Sequence, residues 1–323
     1  MKHLTILVPA GENNLSSIVG AYKIFSRANQ YRQKRGQQAL FKIELAGLAA
    51  EVDFYGGLFS VKPNTAISAI AKTDLIIIPS LNHNYHQSVK DNSEMITWIR
   101  EQYTNGAEVA SICTGAFLLA SSGLLNGKLC STHWSAADDF RSLFPEVELQ
   151  ADRLITDEHG IYTNGGAYSF LNLMIYLVEK YYDRETAIFC AKVFQIDIDR
   201  QSQSTFTIFT GQKHHDDDVI RQAQQYIEEN VQEKISAEDL SQQFAVSRRN
   251  FDRRFVKATG NTPIEYAQRV KIESAKRTFE STRKTINEVM YEVGYSDIKA
   301  FREVFRKITG MSPLAYKERY SKV

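Results

Sequence analysis

Over roughly the first two hundred residues, short apolar runs alternate with segments whose apolar positions recur every three or four residues. LTILVP (4–9), FKIELAGL (41–48), LIIIP (75–79) and EVASIC (108–113) predict strands. LIIIP in particular has the continuous, β-branched character of a strand buried on both faces. Between them Leu15, Ile18, Val19, Tyr22 and Phe25 have helical spacing, as do SEMITWIREQY and GAFLLASSGLL. VELQ, RLITD and IYTNGG predict further short strands. AYSFLNLMIYLVEKYY, apolar around most of its circumference, predicts a packed core helix. The alternation predicts a parallel sheet sandwiched by helices.

The pattern breaks at QIDIDRQSQSTFTIFTGQKHHDDD (195–218), a polar stretch expected to connect two domains and to be partly ordered by Phe206, Ile208 and Phe209. The expected organisation is a first domain over 1–195, a linker over 196–218 and an all-helical domain over 219–323. His214 and His215 beside Asp216–Asp218 could form a metal tract. A solvated linker running into an acidic helix start is preferred, because aspartate is favoured at helix amino termini.

The helical part is duplicated. Phe251, Phe255, Lys257, Thr259, Gly260, Pro263 and Tyr266 recur 50 residues later as Phe301, Phe305, Lys307, Thr309, Gly310, Pro313 and Tyr316. Upstream the offset is 49, pairing Leu240 with Val289, Phe244 with Val293 and Ser247 with Ser296. Two generic amphipathic helices would not repeat the Gly and Pro positions. Each copy predicts helix, short turn, helix: Ser236 and Ser247 cap the two helices of the first, and Thr285 caps INEVMYEV in the second. PIEYAQRVKIESAKRTFES predicts one long helix joining them. Two helices joined by such a turn form a helix-turn-helix, whose second helix enters the major groove of DNA. Phe251 and Phe255 stack on one face, which puts Arg249 and Arg253 on the opposite one. With Phe301 and Phe305 facing in, Lys299, Glu303 and Arg306 face out, and Arg302 lies next to Glu303. Arginine can make paired bonds to guanine and glutamate can accept from cytosine. Arg248, Lys257 and Lys307 suit phosphates.

Charge agrees with that reading. Residues 244–323 hold 18 Lys and Arg against 9 Asp and Glu, a net of +9, within a 323-residue chain whose net charge is +1. The remainder is therefore at −8, so a basic end sits on an acidic body, as expected of a nucleic-acid-binding module on a second domain. The ordinary proportions of charged and hydrophobic residues (24% and 43%) exclude a wholly disordered chain, a collagen and a coiled-coil rod. Three cysteines give neither a disulfide framework nor a zinc spacing, and a cytoplasmic setting is expected. The amino-terminal apolar run reads as a first strand instead of a signal peptide. No stretch reaches the roughly 20 apolar residues of a membrane span.

SAEDLSQQFAVSRRNF and the following residues to TGMSPLAYKERY, with the VGYSD turn, resemble the DNA-binding domain of the AraC/XylS family. The resemblance implies two helix-turn-helix units reading successive major grooves. The first domain resembles the ThiJ/PfpI-like, class I glutamine amidotransferase-like fold in CTGAFLLASSGLLNGK, STHW, TNGGAYSFLNLMIYLVE and DRQSQSTF. More narrowly, it resembles the sensor half of GlxA-like regulators. This implies a flavodoxin-like sheet with a ligand pocket beyond its carboxyl strand ends. Lining candidates are Glu12, Asn13, Asn82, His83, Cys113, Thr114, His133, Asn164 and Gly165, with Trp134 able to close a side. Glu12 hints at an amine-bearing ligand.

VASIC running into TGAFLL puts Cys113 on a strand–turn–helix elbow, where helix N–H groups favour a thiolate. Enzymes of that superfamily often follow this Cys with His and carry a Glu in the loop after the first strand; here Thr114 follows, Glu12 does sit in that loop, and His133 is a candidate base by residue type whose STHW context matches the regulators. The acidic residue that many of the regulators carry before the Gly of the first helix is Ser17, if Gly20 is that Gly. A nucleophile needs a base within reach, and spacing supplies none. The expectation is therefore a transcription regulator, not an enzyme. It would bind promoter DNA and a small metabolite, form a homodimer and need no cofactor or metal. The rivals are a cysteine-dependent hydrolase or amidase tethered to DNA, and an architectural DNA binder without effector.

Overall fold

The computed structural model describes residues 1–11, 13–82, 84–198, 202–213 and 215–321. They divide into two units, 1–203 and 204–323.

In the first unit the strands are β1 (Lys2–Val8), β2 (Phe41–Gly47), β3 (Val52–Phe54), β4 (Phe59–Val61), β5 (Thr65–Ala66), β6 (Leu75–Ile78), β7 (Glu108–Ile112), β8 (Leu129–Cys130), β9 (Glu148–Leu149), β10 (Ile155–Glu158) and β11 (Ile161–Asn164). The helices are α1 (Leu15–Lys34), α2 (Tyr85–Asp91), α3 (Ser93–Thr104), α4 (Ala116–Ser121), α5 (Ala137–Leu143), α6 (Phe170–Tyr181) and α7 (Arg184–Phe194). Among the described residues, seven strands form one sheet in the order β10-β11-β7-β6-β1-β2-β5. All its pairs are parallel except β10–β11, an edge hairpin that turns through His159 and Gly160, both at positive φ. That handedness suits a two-residue turn between right-twisted strands. One face packs Leu4, Ile6 and Val8 against α1, α6 and α7; the other packs Leu7, Ile76, Ile78 and Val109 against α3 and α4. Both faces are covered, which is why β6 reads as an unbroken apolar run.

The second unit holds α8 (Asp218–Glu229), α9 (Ala237–Gln243), α10 (Arg248–Thr259), α11 (Pro263–Ser281), α12 (Ile286–Glu292), α13 (Ile298–Thr309) and α14 (Pro313–Tyr320). Its two cores follow the duplication. Phe251, Phe255 and Tyr266 centre one, and Phe301, Phe305 and Tyr316 centre the other; all six are buried. The matched turns sit at Ala245 and Gly294, both with left-handed backbone. Ser236 caps α9 and Thr285 caps α12, the latter in a capping box with Glu288. Ser247 occupies the cap position of α10 but its hydroxyl accepts no capping bond. Asp297 caps α13 by accepting from the Ala300 N–H at 2.7 Å.

α11 is the spine. It gives Tyr266 and Ala267 to the first core and Ile272, Ala275 and Phe279 to the second. Between them Lys271 donates to the carbonyls of Val231, Glu233 and Val293, joining the loop after α8 to the turn between α12 and α13. Its burial lowers the lysine's affinity for its proton, and the three carbonyl acceptors are what an ammonium there requires. No helix among the described residues is long and apolar enough to cross a membrane.

Candidate functional site

At the carboxyl end of β7 the chain leaves the sheet through Cys113, whose φ of +54° is left-handed, and enters α4 by a 3-10 turn. Gly115 is required in this turn: a Cβ there would lie 2.5 Å from the Pro79 carbonyl oxygen and 2.9 Å from that of Ile78. A left-handed backbone at a non-glycine residue costs on the order of 1–2 kcal/mol and persists only where packing holds it.

Cys113 is 4% exposed. Burial pushes it above the ordinary cysteine range, and the dipoles of Ser80, Thr114 and the His133 backbone N–H pull only part of the way back. The Thr114 hydroxyl, at the position where enzymes of this fold often carry histidine, donates to the Leu81 carbonyl at 2.6 Å and meets Ser80 Oγ at 2.9 Å. Ser17 donates to the Asn14 carbonyl at 2.7 Å and accepts from the Ser80 N–H at 3.1 Å. It thus orders the loop before α1 through its hydroxyl. His133 offers the thiol its backbone. Its ring Nδ1 is taken by Ser135, at 2.7 Å from Oγ and 3.2 Å from N, and burial lowers its pKa, favouring the neutral ring.

The described candidates gather at one edge of the sheet, on the carboxyl ends of β1, β6, β7 and β11, which are neighbours there. Glu12 and His83 lie outside the described residues. Asn13 donates to the carbonyls of Pro9 (2.6 Å) and Gly11 (3.0 Å), and Asn82 donates to the Asn13 carbonyl at 3.3 Å. Asn164 turns its amide nitrogen to the carbonyls of Leu154, Gly165 and Ser169. The Oδ1 atoms of Asn13 and Asn164 are buried and accept no hydrogen bond from the described residues. Gly165 lies so close to Ser131 and Gln203 that no side chain fits. Two residues of this edge were not singled out from the sequence. Ser80 ties Ser17 to Thr114, and Thr132 donates to the Cys113 carbonyl at 3.0 Å. The STHW stretch already pointed to Thr132; nothing in the spacing pointed to Ser80. Beside the elbow, Tyr85 stacks on Phe117 at 3.9 Å and borders a cavity of about 290 Å³ with Asp139 and Ser142. Burial first, then the charges of Cys113 and Asp139, push its phenol up to about 12.

In the second unit, every candidate nucleic-acid contact is exposed: Arg248, Arg249, Arg253 and Lys257 on α10, and Lys299, Arg302, Glu303, Arg306 and Lys307 on α13. Arg248 is held by Asp252 at 2.8 Å and Glu238 at 3.8 Å, and Arg253 by Asn250 at 2.9 Å. Arg254 is a structural residue: it makes a two-pronged bridge to Asp217, at 2.8 and 2.6 Å, while Asp217 caps α8. The bridge holds the Asp217 carboxyl below its usual range. His214 lies outside the described residues. His215 bonds Gln224 at 2.9 Å and accepts from the Asp217 N–H. Asp216–Asp218 line a concavity of about 860 Å³ together with Arg253 and Lys257, so acidic side chains border the basic face of α10.

Two family models match the chain: the DJ-1/PfpI family over residues 19–180, and a helix-turn-helix domain over residues 240–319. The HTH-type transcriptional regulator GbdR of Pseudomonas aeruginosa is 26% identical over 223 residues, 68% of this chain and 60% of that protein. The regulator GlxA of Rhizobium meliloti is 22% identical over 233 residues, 71% of each chain. The chain spans about 60% of the length of GbdR and 65% of the regulator ArgR of P. aeruginosa. Among solved structures, a Vibrio parahaemolyticus protein superposes with a TM-score of 0.54 at 25% identity, covering 59% of this chain and 98% of that one. Drosophila melanogaster DJ-1beta superposes at 0.51 and 17% identity, covering 61% and 98%, a likeness of fold. With residues 19–180 matching, half of its length, the chain belongs to the DJ-1/PfpI family, and it carries a helix-turn-helix domain in its second unit.

Proposed function

We propose that the protein is a sequence-specific DNA-binding transcription regulator, cytoplasmic and homodimeric, whose first unit binds a small metabolite and turns nothing over. The observation that carries this is the duplicated helix-turn-helix with an exposed, charged outer face on both second helices, α10 and α13. Basic side chains placed there meet phosphates and base edges when the helices lie in the groove. The relatives named as transcriptional regulators support the same reading.

For the first unit, the elbow favours binding over turnover. The thiol is buried with its pKa raised, the His133 ring bonds Ser135, and the Thr114 hydroxyl is taken up by the Leu81 carbonyl. Two buried amide oxygens without partners among the described residues, on Asn13 and Asn164, favour a ligand that donates hydrogen bonds, such as an amine. The ligand would act by binding one arrangement of the chain more tightly than another.

The test is fluorescence anisotropy with a duplex from the gene's own upstream region against a random duplex of equal length, at two salt concentrations. A preference of about a hundredfold or more supports specific recognition. Equal, steeply salt-dependent binding would refute it for that site. Turnover by the wild type that Cys113→Ala abolishes would refute the sensor reading.

A further inference from the structure

Residues 204–213 of the stretch expected from sequence to be a connection partly ordered by Phe206, Ile208 and Phe209 are built into both helix-turn-helix units. Ser204–Phe206 forms a 3-10 turn packed against α13, and Arg319 of α14 lies over the Phe206 ring at 5.5 Å. The Thr207 carbonyl then accepts from Lys276 at 2.6 Å, and the Phe209 N–H donates to Glu273 at 3.1 Å. These two α11 side chains form a buried ion pair at 2.8 Å, 6% and 10% exposed. The Phe209 ring meets Tyr266 edge-on at 5.1 Å, and Gly211 passes so close to the Tyr266 hydroxyl that a Cβ would collide with it. Finally the Gln212 carbonyl accepts from Gln224 of α8 at 2.8 Å, its side-chain oxygen accepts from Asn261 at 3.2 Å, and Lys213 pairs with Glu228 at 2.7 Å. Residues 204–213 thus run as a strap from the second helix-turn-helix, across the spine, to the first.

The residue before the strap is fixed elsewhere. Gln203, 0% exposed, belongs to the first unit. Its N–H donates to the Asp152 carbonyl at 3.2 Å, and its side-chain amide donates to the carbonyls of Ala151 and Thr132, the latter at 2.9 Å. Thr132 in turn holds the Cys113 carbonyl, and the Gln203 amide fills the space beside Gly165. One peptide bond therefore separates a side chain anchored in the candidate ligand edge from a strap anchored on both DNA-binding units.

We propose that Gln203 and the strap are the mechanical link through which the state of the elbow reaches both recognition helices, Gln203 acting as a positioning residue. This rests on the regulator reading given above, but the link itself can be tested without DNA. Energetic coupling is reciprocal, so disturbing either end must change the other.

The experiment is hydrogen exchange by mass spectrometry on the full chain without ligand, followed by anisotropy on the upstream duplex. Gln203→Ala is expected to speed exchange of the Phe209 amide about tenfold. Glu273→Gln, at the far end, is expected to change protection of Thr132–Trp134. Both are expected to shift DNA affinity about fivefold or more. Asn29→Ala removes a side chain that accepts from the Leu40 and Phe41 N–H groups on the opposite end of β2. It serves as the control and should leave the strap unchanged. If Gln203→Ala fails to fold, Gln203→Asn shortens the reach and keeps the amide; if Glu273→Gln fails, the Glu273→Gln/Lys276→Met pair removes both buried charges. Strap exchange within about twofold of wild type in the folded Gln203 variant overturns the link. Exchange that responds while affinity does not overturns its role in regulation. Wild-type chain that binds both duplexes alike would sink the regulator reading and leave the exchange result to decide the link alone.

Discussion

Arg253 and Lys257 sit one turn apart on the same exposed face of α10, and their removal should have different consequences. In the free protein Arg253 gives up little to reach DNA. It bonds the Asn250 side chain, at 2.9 Å and exposed, and the nearby Asp217 is already satisfied by Arg254. A paired arginine–guanine contact discriminates by about 1–3 kcal/mol, against which the freed Asn250 bond recovers about 1 kcal/mol or less in water. Arg253→Ala should therefore weaken the best duplex by roughly 5- to 100-fold at about 1.4 kcal/mol per decade, and relax the preference at one base pair. Lys257→Ala removes one phosphate charge, so it should weaken every sequence alike and reduce the slope of log K against log salt by about 0.9. The assay is anisotropy on matched duplexes across about 50–200 mM salt, the range where phosphate contacts are most visible. If Arg253→Ala weakened specific and random duplexes equally and lowered the slope as Lys257→Ala does, the assignment of α10 to the floor of the groove would be refuted.

Native chain at pH 7 should be alkylated by iodoacetamide at Cys113 more slowly than chain unfolded in urea, because burial raises the thiol; faster labelling of the native form would show a thiolate. Arg254→Met should cost about 1 kcal/mol at neutral pH. Because the Asp217 carboxyl is depressed when folded, that stability is present above the unfolded carboxylate value of about 3.9 and is lost as pH falls through the folded one. Denaturant melts should therefore show the two proteins converging in acid, and a difference that grows in acid would reverse the sign. Phe255→Ala and Phe305→Ala, each emptying the centre of one helix-turn-helix core, should cost about 3–5 kcal/mol in urea melts; a loss under about 1 kcal/mol would mean the cavity collapses.

The sheet and the duplicated helices were legible because their information is local. LIIIP is apolar throughout since β6 is covered on both faces, and Gly260 and Gly310 stop α10 and α13 at matched positions with left-handed backbone. The elbow was legible at Cys113, where the strand run ends on a small residue and Gly115 follows. That Ser17 and Thr114 meet through Ser80 beside the thiol was not: they come from the first turn of α1, the loop after β6 and the elbow turn, separated by tens of residues, and hydroxyl groups carry no periodic signature. The same holds for Arg254, which looks like one more basic residue on α10 until Asp217, 37 residues upstream, is seen to hold it. The strap has no helical or strand period because its bonds go to backbone carbonyls and single side chains of other elements. A reading by period renders such a segment as a connection.

The two cores of the second unit hardly overlap along the chain. The first draws on Phe209 through Val270 and the second, apart from Val231, on Ile272 onward, with the division falling inside α11. During synthesis the first helix-turn-helix therefore has almost its whole apolar interior once Val270 has left the ribosome, before α12 to α14 exist. The second then grows from the exposed half of a helix already pinned at its amino end, and low sequence separation within each core favours rapid closure. The Lys271 bond to Val293 and the packing of the 204–206 turn against α13 must wait for both. The nascent chain need never expose the Phe251 and Phe301 clusters at the same time.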